Sequence, residues 1–198
     1  MKHTLMMAAV SAVMAMGCGT DQMEGQESTA LEPSTTVQGL VKEKTHCVVQ
    51  ALSVKHGEAL PTGIAAPPAS CFDTFAEAIS HATKGAVKLN SHVTAQDLKE
   101  MNLGAAGIAA VEYDFPNLLG ATLTLNASYT CAESDLYVAS LPTVWDNRIS
   151  SAISYDPSCK SFNHYTEPNF LGGYVNCGSA CNLGPADNLT SSIYMRYF

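Results

Sequence analysis

Apolar and polar positions alternate with a period of two along Ala121-Thr-Leu-Thr-Leu125, Leu136-Tyr-Val138 and Ser192-Ile-Tyr-Met-Arg-Tyr-Phe198, the pattern of strands that bury one face. Gly, Pro and Asn punctuate this half of the chain at short intervals, so residues 107–198 predict an antiparallel β-sandwich. Upstream the texture changes. Cys47 to Val54 has strand composition, and Gly63-Ile-Ala-Ala-Pro67-Pro68 reads as a loop. Phe75, Ile79 and Ala82 recur at helical spacing behind a Thr74-x-x-Glu77 capping box, and Gly85 supplies the stop. Ala86 to Leu89 reads as a returning strand, and Thr94-x-x-Asp97 caps a shorter helix through Leu98 and Met101 to Gly104. The fold class expected is therefore mainly β: a sandwich over 107–198, preceded by a small strand-helix-strand-helix module over 37–106, with a boundary near Ala106.

The chain starts with Met1-Lys2-His3 and an apolar run from Thr4 to Met16, the build of a secretory leader that is too short for a permanent membrane span. Ala15-Met16-Gly17-Cys18 resembles a bacterial lipobox, although the usual Leu three residues before the Cys is missing. Residues 1–17 are thus expected to be removed, and 18–36 to form a lipidated Cys18 followed by a polar tether. That resemblance implies an extracytoplasmic protein held at a membrane through lipid alone, or otherwise secreted. Loss of Lys2 with the leader leaves nine basic against 18 acidic residues, which argues against nucleic acid as a partner. Beyond Cys18 six cysteines remain, an even number suited to disulfides in an oxidising compartment. Cys47 and Cys71 would brace the small module by about 3 kcal/mol. Cys131, Cys159, Cys177 and Cys181 allow three pairings, of which Cys177 with Cys181 and Cys131 with Cys159 are preferred.

Candidate chemistry comes from a duplication. Tyr113-Asp-Phe-Pro116-Asn117-Leu118-Leu119-Gly120 returns as Tyr165-Thr-Glu-Pro168-Asn169-Phe170-Leu171-Gly172, at an offset of 52. Asp146-Asn147-Arg148-Ile149-Ser150-Ser151 returns as Asp187-Asn188-Leu189-Thr190-Ser191-Ser192, at an offset of 41. Two block types in the order A-B-A-B mark a repeated unit. The first block needs a Gly for a tight fold-back, whereas the second gathers carboxylates, amides and hydroxyls of the kind that a hard, oxygen-seeking cation takes.

These paired signatures resemble those of the microbial βγ-crystallin domains, whose Greek-key motifs carry an aromatic-x4-aromatic-x-Gly element followed by Asx-Asx-x-x-Ser/Thr-Ser. The resemblance covers about Gly107 to Phe198 and implies two Greek keys, about 107–156 and 157–198. It implies calcium, up to two ions. The third positions (Arg148, Leu189) would offer backbone carbonyls and the fifth positions (Ser150, Ser191) hydroxyls. The Asx pairs of the partner motif (Asp146, Asn147, Asp187, Asn188) would complete crossed sites. With Asn at both second positions, affinity should sit toward the weak end usual for extracellular modules. The upstream Cys71-Phe72-Asp73-Thr74-Phe75-Ala76-Glu77-Ala78-Ile79 is similar to a segment that precedes crystallin-like domains in secreted actinobacterial and myxobacterial proteins.

No Gly-x-Ser-x-Gly, His-Glu-x-x-His, phosphate loop or Cys-x-x-Cys occurs, so an enzyme is not expected. His164 reads as a core or surface residue and Trp145 as a core anchor under the first loop. The same secreted format also resembles small metalloproteinase inhibitors built on a crystallin-like sandwich. For that reading the partner is a secreted protease, and Cys177-Gly-Ser-Ala-Cys181 is the braced loop. A structural coat protein is the third class.

Overall fold

The computed structural model describes residues 44–93, 97–101 and 103–198; the expected leader, Cys18 and the tether lie outside them. Among the described residues eleven strands form two sheets. The first repeat supplies β4 (Ile108–Phe115), β5 (Leu119–Asn126), β6 (Asp135–Val138) and β7 (Ser151–Ser154), and the second β8 (Ser161–Glu167), β9 (Leu171–Asn176), β10 (Ala180–Asn182) and β11 (Ser192–Arg196). The third strand of each repeat leaves its own sheet: β10 pairs with β7, and β6 pairs with β11. Neither repeat can therefore close a sheet alone.

The upstream segment does not stand apart as the sequence suggested. Cys47 to Val54 is not one strand but two, β1 (His46–Gln50) and β2 (Leu52–Val54). Between them Ala51, buried, gives its N–H to the Asn126 carbonyl at 2.8 Å. The chain crosses there from one sheet to the other, because β1 runs parallel to β5 while β2 lies antiparallel on β6. With β3 (Ser70–Phe72) on β1, the sheets read β10-β7-β4-β5-β1-β3 and β2-β6-β11-β8-β9. The expected boundary near Ala106 is corrected by this pairing: the 37–106 module, over its described residues, completes both sheets rather than folding beside them. Ala86 to Leu89 forms no strand, and Asp97–Glu100 is a 3-10 turn; Thr94 lies outside the described residues.

Period-two alternation on β1 turns Cys47 and Val49 into the space between the sheets and Val48 outward. Between the sheets they meet Leu123, Leu125, Leu136, Phe162 and Ile193. Val48 meets Val111, Tyr113 and the helix α1 (Phe75–Ala82), which covers the outer face of the first sheet through Phe75, Ala78, Ile79 and Ala82. The helix begins where the sequence placed it, since Thr74 Oγ1 accepts the Glu77 N–H and Glu77 accepts the Thr74 N–H, both at 3.2 Å. Among the described residues no helix is long and apolar enough to cross a membrane. Cys47 and Cys71 face each other across β1 and β3 and are bonded, as are Cys131 with Cys159 and Cys177 with Cys181.

Two polar pairs tie this frame together. Glu112 on β4 and His164 on β8 are repeat equivalents, 52 residues apart, and meet between the sheets at 3.0 Å with neither side chain exposed. Burial pushes the Glu112 carboxyl above its usual range, with His164 pulling it back. At the rim, His56 reaches from the end of β2 to Asp135 of β6 at 2.9 Å and to the Ala132 carbonyl at 3.3 Å. Asp135 also accepts the Tyr194 hydroxyl. The Asp135 bond, then the Ala132 carbonyl, raise His56 above its ordinary value of 6.5.

His164→Phe, which strands a buried carboxyl, should cost about 3–5 kcal/mol, and adding Glu112→Leu should return most of it. Urea unfolding of the four proteins of that cycle measures the coupling, and a double variant no more stable than His164→Phe would contradict it. The His56 shift carries its own sign. A group whose folded value is raised gives stability that is complete below pH 6.5 and lost as pH climbs through the folded value. The wild-type urea midpoint should decline over that window, and His56→Gln should remove the decline.

Candidate metal centre

Each fold-back block turns its hairpin through two consecutive left-handed residues, Asn117 and Leu118 in the first repeat, Asn169 and Phe170 in the second, with φ between 58° and 63°. Non-glycine residues hold such angles only when surrounding bonds fix them. Here the last Ser of each second block supplies those bonds. Ser151 Oγ accepts the Leu118 N–H at 3.0 Å and donates to the Phe115 carbonyl at 2.7 Å; Ser192 Oγ does the same for Phe170 and Glu167, at 3.0 and 2.7 Å. Gly120 and Gly172 follow at φ 88° and 75°, where a Cβ would strike Asp114 in one repeat and Thr166 in the other. The sixth-position serines, to which the sequence pattern assigned no role, are buckles that lock each loop to its own hairpin.

The two loops then grip each other. Asn147 gives its N–H to the Thr190 carbonyl, and Asn188 gives its N–H to the Ile149 carbonyl, each at 2.9 Å. Ser150 and Ser191 give theirs to Tyr113 and Tyr165, and their own carbonyls accept from Leu183 and Leu141, all four at 2.8 Å. Every bond has its counterpart in the other repeat, so the loops are related by a pseudo-twofold.

Within this frame Ser150 and Ser191 are buried, whereas Asp146, Asn147, Asp187, Asn188 and Leu189 are exposed and Arg148 is half-buried. Ser150 Oγ donates to the Asp114 carbonyl at 3.0 Å, so hydroxyl and carbonyl oxygens converge beside the first loop. Asn147 Nδ2 donates to the Asp146 carboxylate at 3.3 Å. The donors on offer are carboxylate, amide, hydroxyl and backbone oxygens without sulfur or imidazole, a set that fits a hard divalent cation such as calcium. Asp114 escaped the motif comparison altogether, because its position is Thr166 in the second copy. Its carboxylate accepts the Ala121 N–H at 2.6 Å and the Arg148 guanidinium at 3.0 Å. Trp145 is buried under the first loop, as expected of a core anchor, with the Arg148 guanidinium 5.2 Å from its ring centre.

Cys131, Asp156 and Cys159 also cluster, but the two sulfurs are joined to each other and offer no thiolate. Asp156 instead caps the backbone, accepting the Cys131 N–H at 2.6 Å and the Ser158 N–H at 2.9 Å. The Cys177–Cys181 bond closes the short connection from β9 to β10.

If the buckles are equivalent, Ser151→Ala and Ser192→Ala should each cost about 1–3 kcal/mol, because each leaves a donor and an acceptor unpaired. Chemical denaturation of both variants measures this, and a loss confined to one of them would break the equivalence.

Comparison with known families and with curated proteins finds no match. Among solved structures, a βγ-crystallin from an archaeon is 20% identical, covering 45% of this chain and 98% of its own at a TM-score of 0.33. A βγ-crystallin domain from Clostridium beijerinckii is 19% identical, covering 46% and 99% at 0.33, and a double mutant of that domain is 23% identical, covering 46% and 98% at 0.34. The chain is mainly β, with a duplicated motif and third strands exchanged between its two sheets, and its paired signatures resemble those of βγ-crystallin domains.

Proposed function

We propose that the protein is a calcium-binding module of the βγ-crystallin type, working outside the cytoplasm in a binding or structural role rather than a catalytic one. The observation that supports this reading is the reciprocal embrace of the loops 146–151 and 187–192. It holds each fifth-position hydroxyl buried, with the carboxylates of Asp146 and Asp187 at the exposed rim. A bound calcium ion would supply a point of positive charge that draws carbonyl, hydroxyl and carboxylate oxygens into one shell. The chain's part is to hold Ser150, Ser191 and the third-position carbonyls of Arg148 and Leu189 on a frame already fixed by backbone bonds, so that little ordering remains at binding. Three disulfides fit an oxidising compartment. Attachment through a lipidated Cys18 belongs to the same proposal.

The test is calorimetric titration of the protein with Ca²⁺, joined to thermal unfolding in EDTA and in millimolar Ca²⁺. At a hundredfold excess over Kd an ion stabilises the fold by about 2.7 kcal/mol, and replacing both Ser150 and Ser191 by Arg should abolish that gain. Equal melting and equal Trp145 emission in the two buffers would sink the calcium reading. In that case inhibition of a secreted metalloproteinase through the disulfide-closed 177–181 loop becomes the leading one, on the strength of that brace.

A further inference from the structure

The pseudo-twofold supplies an internal control, because the backbone bonds of the two loops repeat while side chains at several equivalent positions do not. Asp114, Trp145 and Arg148 of the first repeat stand where the second has Thr166, Ala186 and Leu189. In the first, Arg148 Nη2 donates to Asp114 at 3.0 Å, Nη1 to the Val144 carbonyl at 3.5 Å, and the guanidinium lies over Trp145. Three partners hold the cation in place. In the second, Thr166 Oγ1 accepts the Gly173 N–H at 3.1 Å, and Leu189 brings no charge and is exposed. Beside the first loop the Asp114 carboxylate is thus paired with a guanidinium, whereas beside the second Thr166 brings no carboxylate and Leu189 no cation at the equivalent positions.

We propose that Arg148 is a built-in counter-cation that weakens the crossed site built on the Arg148 carbonyl and the Ser150 hydroxyl, so that the site built on the Leu189 carbonyl and the Ser191 hydroxyl takes calcium first and tightest. This rests on the calcium reading above and decides which half of the duplicated site carries it. The guanidinium is bonded to the carboxylate of the same residue whose carbonyl receives the Ser150 hydroxyl. A divalent ion drawn to those oxygens meets a fixed positive charge a few ångströms away, and the carboxylate that would have attracted it is already paired. Like charges at that range in a water-exposed setting weaken binding by about tenfold.

Calcium titration of the full chain, with Trp145 emission reporting the first loop, tests this on two variants. Arg148→Met keeps an apolar stem over Trp145 and removes the charge; it should tighten the weaker site about tenfold and leave the stronger one unchanged. Thr166→Asp with Leu189→Arg moves the clamp to the other repeat and should weaken the stronger site by a like factor. Far-UV circular dichroism in EDTA confirms that both fold, and either variant alone suffices for the comparison. Calcium uptake by the wild type that neither change alters would overturn this inference alone, leaving the calcium reading intact. No uptake by the wild type or by Arg148→Met would overturn both.

Discussion

Two backbone bonds between the repeats, Asn147 to Thr190 and Asn188 to Ile149, fix how the repeats can be assembled. Each ties a loop of one repeat to a loop of the other, and the flanking residues Leu141 and Leu183 extend the exchange toward β6 and β10. Once the loops are crossed, β6 and β10 are delivered to the opposite sheets, where they pair with β11 and β7. The core between the sheets is consequently shared from the outset. No half of it has enough partners to bury Leu123, Phe162 or Ile193 alone, so the duplication in sequence becomes one cooperative unit in energy.

Much of this was legible because it is local. The fold-back and loop signatures state turn chemistry within six or eight residues, and the Thr74/Glu77 box names its helix start outright. What failed was non-local. Nothing between Cys47 and Val54 marks a break, since Ala51 is neither Gly nor Pro. The division into β1 and β2 is imposed by two distant edges, β5 and β6, that compete for the same run of backbone. Parallel pairing of β1 with β5 across more than seventy residues leaves no local trace, so a segment that looks like a separate module belongs to both sheets.

The site shows the same division. All eight expected ligand positions fall on the two crossed loops, because the hexapeptide spells its own turn. Asp114 was invisible, since the second copy has Thr there and the comparison of repeats rewards identity. Glu112 and His164 escaped for the same reason: they are equivalent by offset but chemically complementary, and complementarity across a pseudo-twofold appears in sequence only as a mismatch. The positions where the copies disagree are therefore where the charge of this molecule is organised, while agreement marks only its frame.

The crossing at Ala51 has a consequence for how the chain is put together over time. Strands β5 and β6 emerge long after β1 and β2 during synthesis. A sandwich finished without the upstream segment would leave the stretch of β5 that β1 covers, from Thr122 to Asn126, as a bare edge of N–H and C=O groups. The N-terminal strands work as a strap that covers β5 and β6 and leaves in their place the three-residue edges of β3 and β2, and Cys47–Cys71 fastens the strap to itself. An oxidising compartment thus protects the sandwich at its edges, where the danger is association with other chains rather than unfolding.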